Sequence, residues 1–322
     1  MSIIKNSLAI IIPAYKALFF SKTLETLAQQ TCKDFTVYVG NDGGDAGIEE
    51  IVNRFRPILN IHYRYFENNF GSKSLVKHWE RCFTLTQGEK WYWLLPDDDY
   101  ADPQCVELFY DQLQKSDFDL FRFNVHFVTG DEKIFKTNPT LPDVQSSFDG
   151  LMEKLSFSRP STVAEFIFNR KKFGSIGFKE IPMAWGTDDL LWYEIGAAKG
   201  IRGCNDAYVY LRQSDLNISN NYSTLATQKI DANFIFFKKL FSLLHFAPVL
   251  NSKIEFKKFI KIAINHIMYN LQDYNKILSL KEVIKYAVWG NRIWSGGVLK
   301  NIRRFYKNNK LIINKRKLNI GE

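Results

Sequence analysis

Trp91-Tyr-Trp-Leu-Leu-Pro-Asp-Asp-Asp99-Tyr-Ala-Asp-Pro103 is the stretch on which the reading of this chain turns. Trp91 to Leu95 is a short apolar and aromatic run, the composition of a strand covered on both faces. It passes directly into Asp97, Asp98 and Asp99. Three adjacent carboxylates repel, so something must offset their charge. Mg²⁺ or Mn²⁺ does so with one or two carboxylates plus phosphate oxygens and water, which describes a nucleoside-diphosphate site. A solvated acidic turn capping a helix that starts near Pro103 accounts for the same residues, because carboxylates also favour helix N-termini.

Toward the N-terminus the same alternation repeats. Leu8 to Ile12 is a β-branched run of the buried-strand type, followed by Leu24, Leu27 and Ala28 at helical spacing. Phe35 to Val39 is a second strand and ends in Asn41-Asp42-Gly43-Gly44, after which Ile48, Ile51, Val52 and Phe55 repeat at helical intervals. Ile61 to Phe66 is a third strand, and Leu75, Trp79, Cys82 and Phe83 form an amphipathic helix before the fourth. Four strand–helix alternations with short connections predict an α/β fold with a mostly parallel, doubly wound sheet. Ligands in such a sheet bind beyond the carboxyl ends of its strands.

Toward the C-terminus a fifth strand is expected near Leu120 to Val128, then a long polar loop over 129 to 150. Thr162 to Phe168 reads as a strand, Thr187 to Ala198 as a helix capped by Thr187 or Asp188, and Val209 to Leu211 as another strand. From residue 226 the chain reads as helical, apolar and aromatic with interspersed lysines, which places a domain boundary near residue 224.

The formal net charge of +9 is local to the tail: residues 281 to 322 hold 11 Lys and Arg against Glu282 and Glu322, and the remainder is balanced. This asymmetry argues for an anionic partner at the C-terminal end. Cys32, Cys82, Cys105 and Cys204 have no paired spacing, which fits a reducing cytoplasm. The start lacks the basic n-region of a signal peptide, and no stretch reaches the run of about 18 uncharged residues that a spanning helix needs. The expected location is cytoplasmic, soluble or peripheral on the inner face of the membrane.

The first 110 residues resemble the family 2 glycosyltransferases of the GT-A fold. The resemblance is carried by Ile11-Ile12-Pro13-Ala14-Tyr15, Gln29-Gln30-Thr31, Asn41-Asp42-Gly43-Gly44, Asn69 with Gly71, and the triple aspartate before Pro103. It implies a GT-A catalytic domain over 1–224, with a nucleotide-sugar half (1–110), an acceptor half (111–224) and a helical, basic extension over 225–322. It further implies that Pro13, Ala14 and Tyr15 line the base and ribose and that Asp42, exposed by the turn at Gly43, bonds the base edge. Asp98 would ligate the metal, with Asp97 and Asp99 assisting. Trp185-Gly186-Thr187-Asp188-Asp189 resembles the acidic pair that starts the acceptor-side helix, which makes Asp189 the general base and Asp188 its partner. Leu211-Arg212-Gln213-Ser214 resembles a segment that closes over the diphosphate, where Arg212 would contact phosphate; a surface salt bridge is the other reading of Arg212.

Two departures matter. Many relatives carry a metal-ligating His where this chain has Ser214, which leaves the third protein ligand open. Relatives also place an Ala-Arg-Asn where this chain has Leu75-Val76-Lys77, so Lys73 or Lys77 is the candidate for the missing charge. The resemblance implies an inverting transferase of bacterial polysaccharide or lipopolysaccharide type. Its donor would be a UDP-sugar with Mn²⁺ or Mg²⁺, and its acceptor a glycan or lipid-linked saccharide. Trp185 and Trp192 border the acidic pair and suit either sugar stacking or core packing.

Other functions fit less well. Pro13-Ala14-Tyr15-Lys16 is neither the Gly-rich phosphate loop of a nucleotidyltransferase nor the Gly-x-Gly-x-x-Gly of a dinucleotide enzyme. A nucleic-acid module is disfavoured because the charge lies outside the folded body; a non-catalytic sugar-nucleotide binder is disfavoured by two intact acidic clusters. The basic, aromatic C-terminal helices read first as core and second as an interfacial surface for anionic lipid.

Overall fold

Five uncharged β-branched and apolar residues in a row can be buried only if both faces of the strand are covered, and Leu8–Ala14 (β1) lies at the centre of a sheet with Leu8 to Ile12 wholly buried. The computed structural model describes residues 7–214, 225–244, 253–294 and 297–320, and the side chains of 253–255 and 317–320 are outside that description. The boundary expected near residue 224 and Asp215 to Ser219 lie outside the described residues.

The chain divides into two compact units, Met1–Glu180 with Thr187–Ser214, and Ile181–Gly186 with Asp215–Glu322. In the first, β1 is followed by α1 (Phe20–Ala28), β2 (Phe35–Asn41), α2 (Gly47–Phe55), β3 (Ile61–Tyr65), α3 (Leu75–Phe83), β4 (Trp91–Leu94), β5 (Tyr100–Ala101) and α4 (Cys105–Lys115). Then come β6 (Leu120–Val128), β7 (Ile134–Thr137), β8 (Val144–Gln145), α5 (Ser147–Leu155), β9 (Phe166–Asn169), α6 (Arg170–Ile176), α7 (Thr187–Ile195) and β10 (Ile201–Arg212). The sheet order is β3-β2-β1-β4-β9-β6-β10-β5, with β7 on β6 and β8 on β10. β3, β2, β1 and β4 are parallel, as the alternation predicts. β6 and β10 are parallel to each other, and β9 is antiparallel to both β4 and β6.

Three stretches differ from expectation. Residues 129 to 150 are not one loop: β7 hairpins back on β6, then β8 and α5 follow. All four residues of β7 are exposed, so no burial pattern betrays the strand. The strand expected over Thr162 to Phe168 begins with a 3₁₀ turn, Val163–Glu165, and becomes regular only at Phe166. Asn169 ends it by accepting from the amides of Lys171 and Lys172, capping α6, which periodicity did not reveal.

The second unit holds α8 (Ala226–Leu244), α9 (Lys253–Asp273), α10 (Leu280–Trp294) and α11 (Val298–Ile320). Phe259, Ala263 and Ile267, at helical spacing along α9, are buried, and Phe234 stacks on Tyr286 at 4.9 Å, so these faces pack within the unit. Among the described residues no helix is long and apolar enough to cross a membrane.

Candidate active site

The C-terminal ends of β1, β2 and β4 carry the first cluster. β4 runs out into Asp97, whose Oδ2 accepts from the amides of Tyr15 (2.7 Å) and Lys16 (2.9 Å), tying the triple-aspartate turn to the end of β1. Asp99 is buried, and its Oδ1 accepts from the Arg212 amide (2.9 Å). Thr23 Oγ1 donates to the carbonyls of Asp99 and Asp97, at 2.8 and 3.2 Å. These contacts fix the turn with its carboxylates crowded together. Burial raises all three carboxyls, and neighbouring carboxylates add to the rise at Asp98 and Asp99; Asp98 reaches about 7. A crowded, partly buried cluster that resists its own charge is the chemistry a divalent cation satisfies. Among the described residues no group of three or more His, Cys, Asp or Glu is arranged to hold a metal. The fit is therefore to a cation held by one carboxylate with diphosphate and water.

Arg212 is placed inside the wall, with 2% of its surface exposed. Its Nε donates to the Asp98 carbonyl (3.1 Å), Nη1 to the Gly130 carbonyl (2.7 Å), and Nη2 to Glu132 (3.2 Å), while the guanidinium lies over Phe19 at 4.3 Å. The pair with Glu132 is the salt bridge that the sequence allowed, and through its other contacts the guanidinium fastens the hairpin turn before β7 to the aspartate turn.

At the end of β2, Asn41 Oδ1 accepts from the Gly44 amide (2.8 Å), and a Cβ on Gly44 would lie 2.2 Å from the Tyr15 carbonyl, so the turn closes against β1 only with glycine there. Asp42, 2% exposed, accepts from the amides of Phe70 (2.9 Å) and Gly71 (2.7 Å) and from the guanidinium of Arg81. Arg81 in turn lies between the rings of Phe66 (4.0 Å) and Phe70 (4.4 Å). His78 Nδ1 approaches Asp42 Oδ1 at 3.3 Å, yet this is not an ion pair. Burial lowers the imidazole pKa to about 4, and Nδ1 accepts from Arg81 Nε (3.1 Å), so the ring is neutral. Arg81 is the cation paired with Asp42. It lies one helical turn beyond Lys77, a signal that i, i+4 spacing on α3 would have given. Arg81→Met is expected to destabilise the fold by about 3–5 kcal/mol in urea unfolding, because it leaves Asp42 buried and uncompensated.

Tyr15, 47% exposed, and Phe70, 42% exposed, present open rings near this cluster, while Ala14 is fully buried and Pro13 half-buried.

The second cluster opens α7. Asp188 is half-buried and Asp189 buried. Burial first, and then the Asp189 charge, raise Asp188 to about 8. Burial therefore favours the protonated form of Asp188 at neutral pH. Thr187 does not cap with its hydroxyl, which donates backward to the Lys179 carbonyl (2.8 Å). Ahead of the pair, Met183 (φ 60°), Ala184 (φ 54°) and Gly186 (φ 79°) are left-handed. Non-glycine residues there cost on the order of 1–3 kcal/mol each.

Topology brings the two clusters to one end of the sheet. β9 runs antiparallel to β4 with Trp93 opposite Ile167, and Trp93 Nε1 donates to the Ala164 carbonyl (2.6 Å). The start of β9 thus lies where β4 runs out toward Asp97. Trp192 of α7 is buried and stacks on Phe166 at 4.6 Å, so it is core here. Glu165, beside Phe166, is paired with Arg122 at 2.7 Å; burial raises its pKa against that pairing, and the Asp189 charge adds to the rise. Asp189, one turn before Trp192, therefore sits at the sheet end that carries the triple aspartate. The Arg122–Glu165 pair under it has no signature in sequence spacing.

A family profile described as glycosyl transferase family 2 matches residues 9–192, more than half of the chain. No curated protein sequence matches it significantly. Among solved structures, residues 1–349 of S. aureus TarS superpose with a TM-score of 0.56 at 16% identity, covering 97% of this chain and 92% of that one. The same protein in complex with UDP-GlcNAc gives 0.55 at 15% identity, with coverage of 97% and 92%, and in complex with UDP 0.53 at 17%, with 94% and 90%. The fold is that of the GT-A glycosyltransferases.

Proposed function

The chain belongs to glycosyl transferase family 2 and is a glycosyltransferase, and on that premise we propose that it moves a sugar from a UDP-sugar to an acceptor hydroxyl with inversion. The observation that carries the reading is the triple-aspartate turn and the Asp188–Asp189 pair at the same end of one sheet. A UDP-sugar donor is supported by the complexes of TarS with UDP-GlcNAc and UDP. The open rings of Tyr15 and Phe70, with Pro13, Ala14 and the turn at Gly43, are assigned to the base and ribose; Asp42, which the turn does not expose as the sequence suggested but buries against Arg81 and the Phe70 and Gly71 amides, is assigned to holding the loop that carries Phe70.

Asp189 accepts the proton of the acceptor hydroxyl as its oxygen bonds to the anomeric carbon and the bond to the UDP oxygen breaks on the opposite face. One carboxylate suffices, because inverting transfer forms no covalent sugar–enzyme intermediate. Asp188, protonated, donates rather than accepts, which suits a hydrogen bond to a sugar oxygen. Mn²⁺ or Mg²⁺ at Asp98, when bound, supplies positive charge to the departing diphosphate. Asp97, Asp99 and Arg212 hold the turn that presents Asp98. The reaction is tested by UDP release from UDP-sugars with and without saccharide acceptors; release that no acceptor accelerates would overturn transfer.

The acceptor is assigned to cell-surface glycan synthesis, of polysaccharide or lipopolysaccharide type, on a lipid-linked saccharide at the cytoplasmic face of the membrane. Support comes from α11. Its exposed side carries Lys300, Arg303, Lys307 and Lys310 beside Leu299, Tyr306 and Ile313, which recur every seven residues, and Val298 to Ile320 contains no acidic residue. Basic and apolar rows side by side suit an anionic headgroup surface. Changing those four cations to Gln is expected to remove about 4 kcal/mol of attraction, near a thousandfold in partition onto phosphatidylglycerol vesicles. Unchanged cosedimentation would end the membrane assignment.

A further inference from the structure

One face of β6 is apolar and packed: Phe121, Phe123, Val125 and Phe127 all belong to the core of the sheet-bearing unit. The other carries Arg122, Asn124 and His126, a polarity that a strand covered by apolar elements on both faces does not have. Two of these three are accounted for within the fold. Arg122 pairs with Glu165, and Asn124 Oδ1 accepts from the Val125 amide (2.9 Å) where a bulge in β10 interrupts the ladder. His126 is not explained in this way.

It lies in a row that crosses four strands at one register: Tyr100 of β5 is paired with Tyr210 of β10, Tyr210 with His126, and His126 with Thr137 of β7. Tyr100 and Tyr210 stack at 4.6 Å, and His126 stacks on Tyr208 at 4.0 Å. The stacking takes up ring faces, so the row offers a ligand its polar edges. Tyr210 is held by its hydroxyl, which donates to Asp102 (2.8 Å), and His126 Nδ1 meets the Thr137 hydroxyl at 2.7 Å. Burial lowers the His126 pKa, with Asp102 opposing that shift, so the ring is neutral and its Nε2 is a single uncharged polar group. Both His126 and Tyr208 are half-buried, and among the described residues neither that Nε2 nor the Tyr208 hydroxyl has a hydrogen-bond partner.

Tyr100 directly follows Asp99, so the row starts at the triple-aspartate turn, and β6 and β10 end on the side of the sheet where β4 runs out toward Asp97. At the other end all four residues of β7 are exposed, so the row is open there. Four residues back on the same face of β6, Arg122 pairs with Glu165, whose carboxyl feels the Asp189 charge. The side chains of the row are uncharged, which does not match a diphosphate. Aromatic edges with a few placed polar atoms match a neutral, hydroxyl-rich ring. We propose that Tyr208 and His126, braced by Tyr210 and Thr137, form a subsite for the acceptor saccharide, in which the Tyr208 hydroxyl and His126 Nε2 hydrogen-bond to sugar hydroxyls. The occupant rests on the reading of the chain as a sugar transferase; the polar contacts rest on the row alone.

The probes are the p-nitrophenyl glycosides of glucose, galactose, mannose and N-acetylglucosamine, offered to the full chain. Two readouts are taken: glycoside-dependent UDP release from a UDP-sugar with Mn²⁺, and saturation-transfer NMR of glycoside binding with UDP in place of the donor. Tyr208→Phe and His126→Phe each keep a ring for the stack and delete polar atoms at its edge. Each is expected to raise the KM or Kd of the best glycoside by about three- to tenfold, the effect of one hydrogen bond, while UDP affinity stays within about twofold of the wild type. A row that only braces the sheet edge would lower the melting temperature instead and leave glycoside affinity alone. Should either Phe variant not fold, Thr137→Val at its exposed position replaces it: loss of the Nδ1 partner releases the imidazole, and the same rise is expected. Glycoside affinity that is equal in the wild type and these variants overturns the subsite and leaves transfer standing, and so does a wild type that turns over a glycoside without this dependence. Glycoside binding that the variants weaken, with no glycoside accelerating UDP release, leaves the subsite standing and overturns the transferase reading. A wild type that binds none of the four glycosides overturns the subsite.

Discussion

Asp189→Asn is expected to lower acceptor-dependent UDP release by about a thousandfold, within the range that one positioned general base contributes. UDP affinity should stay within about twofold of the wild type, because the residue is assigned to the acceptor hydroxyl, so that the loss falls on kcat rather than on ground-state binding. The informative comparison is Asp188→Asn. Asp188, raised to about 8 by burial and by the Asp189 charge, already holds a proton at neutral pH. An amide imitates a protonated carboxyl in shape and in having a donor, so this variant should retain most of its activity, with a loss on the order of tenfold or less. Two adjacent residues of the same type thus differ by about two orders of magnitude in what the same substitution does, and initial rates at saturating donor measure it. Equal losses at both positions would assign the base wrongly.

This asymmetry was only partly legible in the sequence. The residues resembling the family place Asp189 and Asp188 in order, and the parallel half of the sheet follows from Leu8 to Ile12 and Trp91 to Leu95, whose unbroken apolar character demands two covered faces. What the sequence does not show is how the charges are divided. The raised carboxyl of Asp188 depends on burial and on the Asp189 charge beside it, and that burial comes from how α7 packs, which no local spacing records. Arg212 and Arg81 illustrate the same point from opposite sides. Arg212 follows a recognisable segment, yet its guanidinium turns inward to backbone carbonyls of a hairpin whose exposed strand has no pattern to read. Arg81 belongs to no recognised segment, yet helical spacing carries it to Asp42.

Asp98→Asn should abolish the cation-dependent part of UDP binding and leave the fold intact. A ligand at a hundred times its Kd stabilises the native state by about 2.7 kcal/mol. For a protein of this size that is a rise of about 4 °C in Tm, so Mn²⁺ with UDP should produce such a rise in the wild type and in Asp189→Asn. In Asp98→Asn the rise should fall to that given by UDP alone, and transfer should drop by about 10²–10³-fold, the usual loss when a group that stabilises developing charge is removed. The apo variant should be no less stable than the wild type. Asp97 and Asp99 hold the turn through the amides of Tyr15, Lys16 and Arg212, none of which is touched, while one of three crowded, partly buried carboxylates is gone. On the proposed reading the turn is repulsive when empty and favourable only when a cation and diphosphate arrive, so function is kept there at the expense of stability. A variant that lost stability in the absence of ligand, yet still gained the full Mn²⁺-dependent shift, would make Asp98 a structural cap and return the turn to the solvated acidic loop that its sequence also permits.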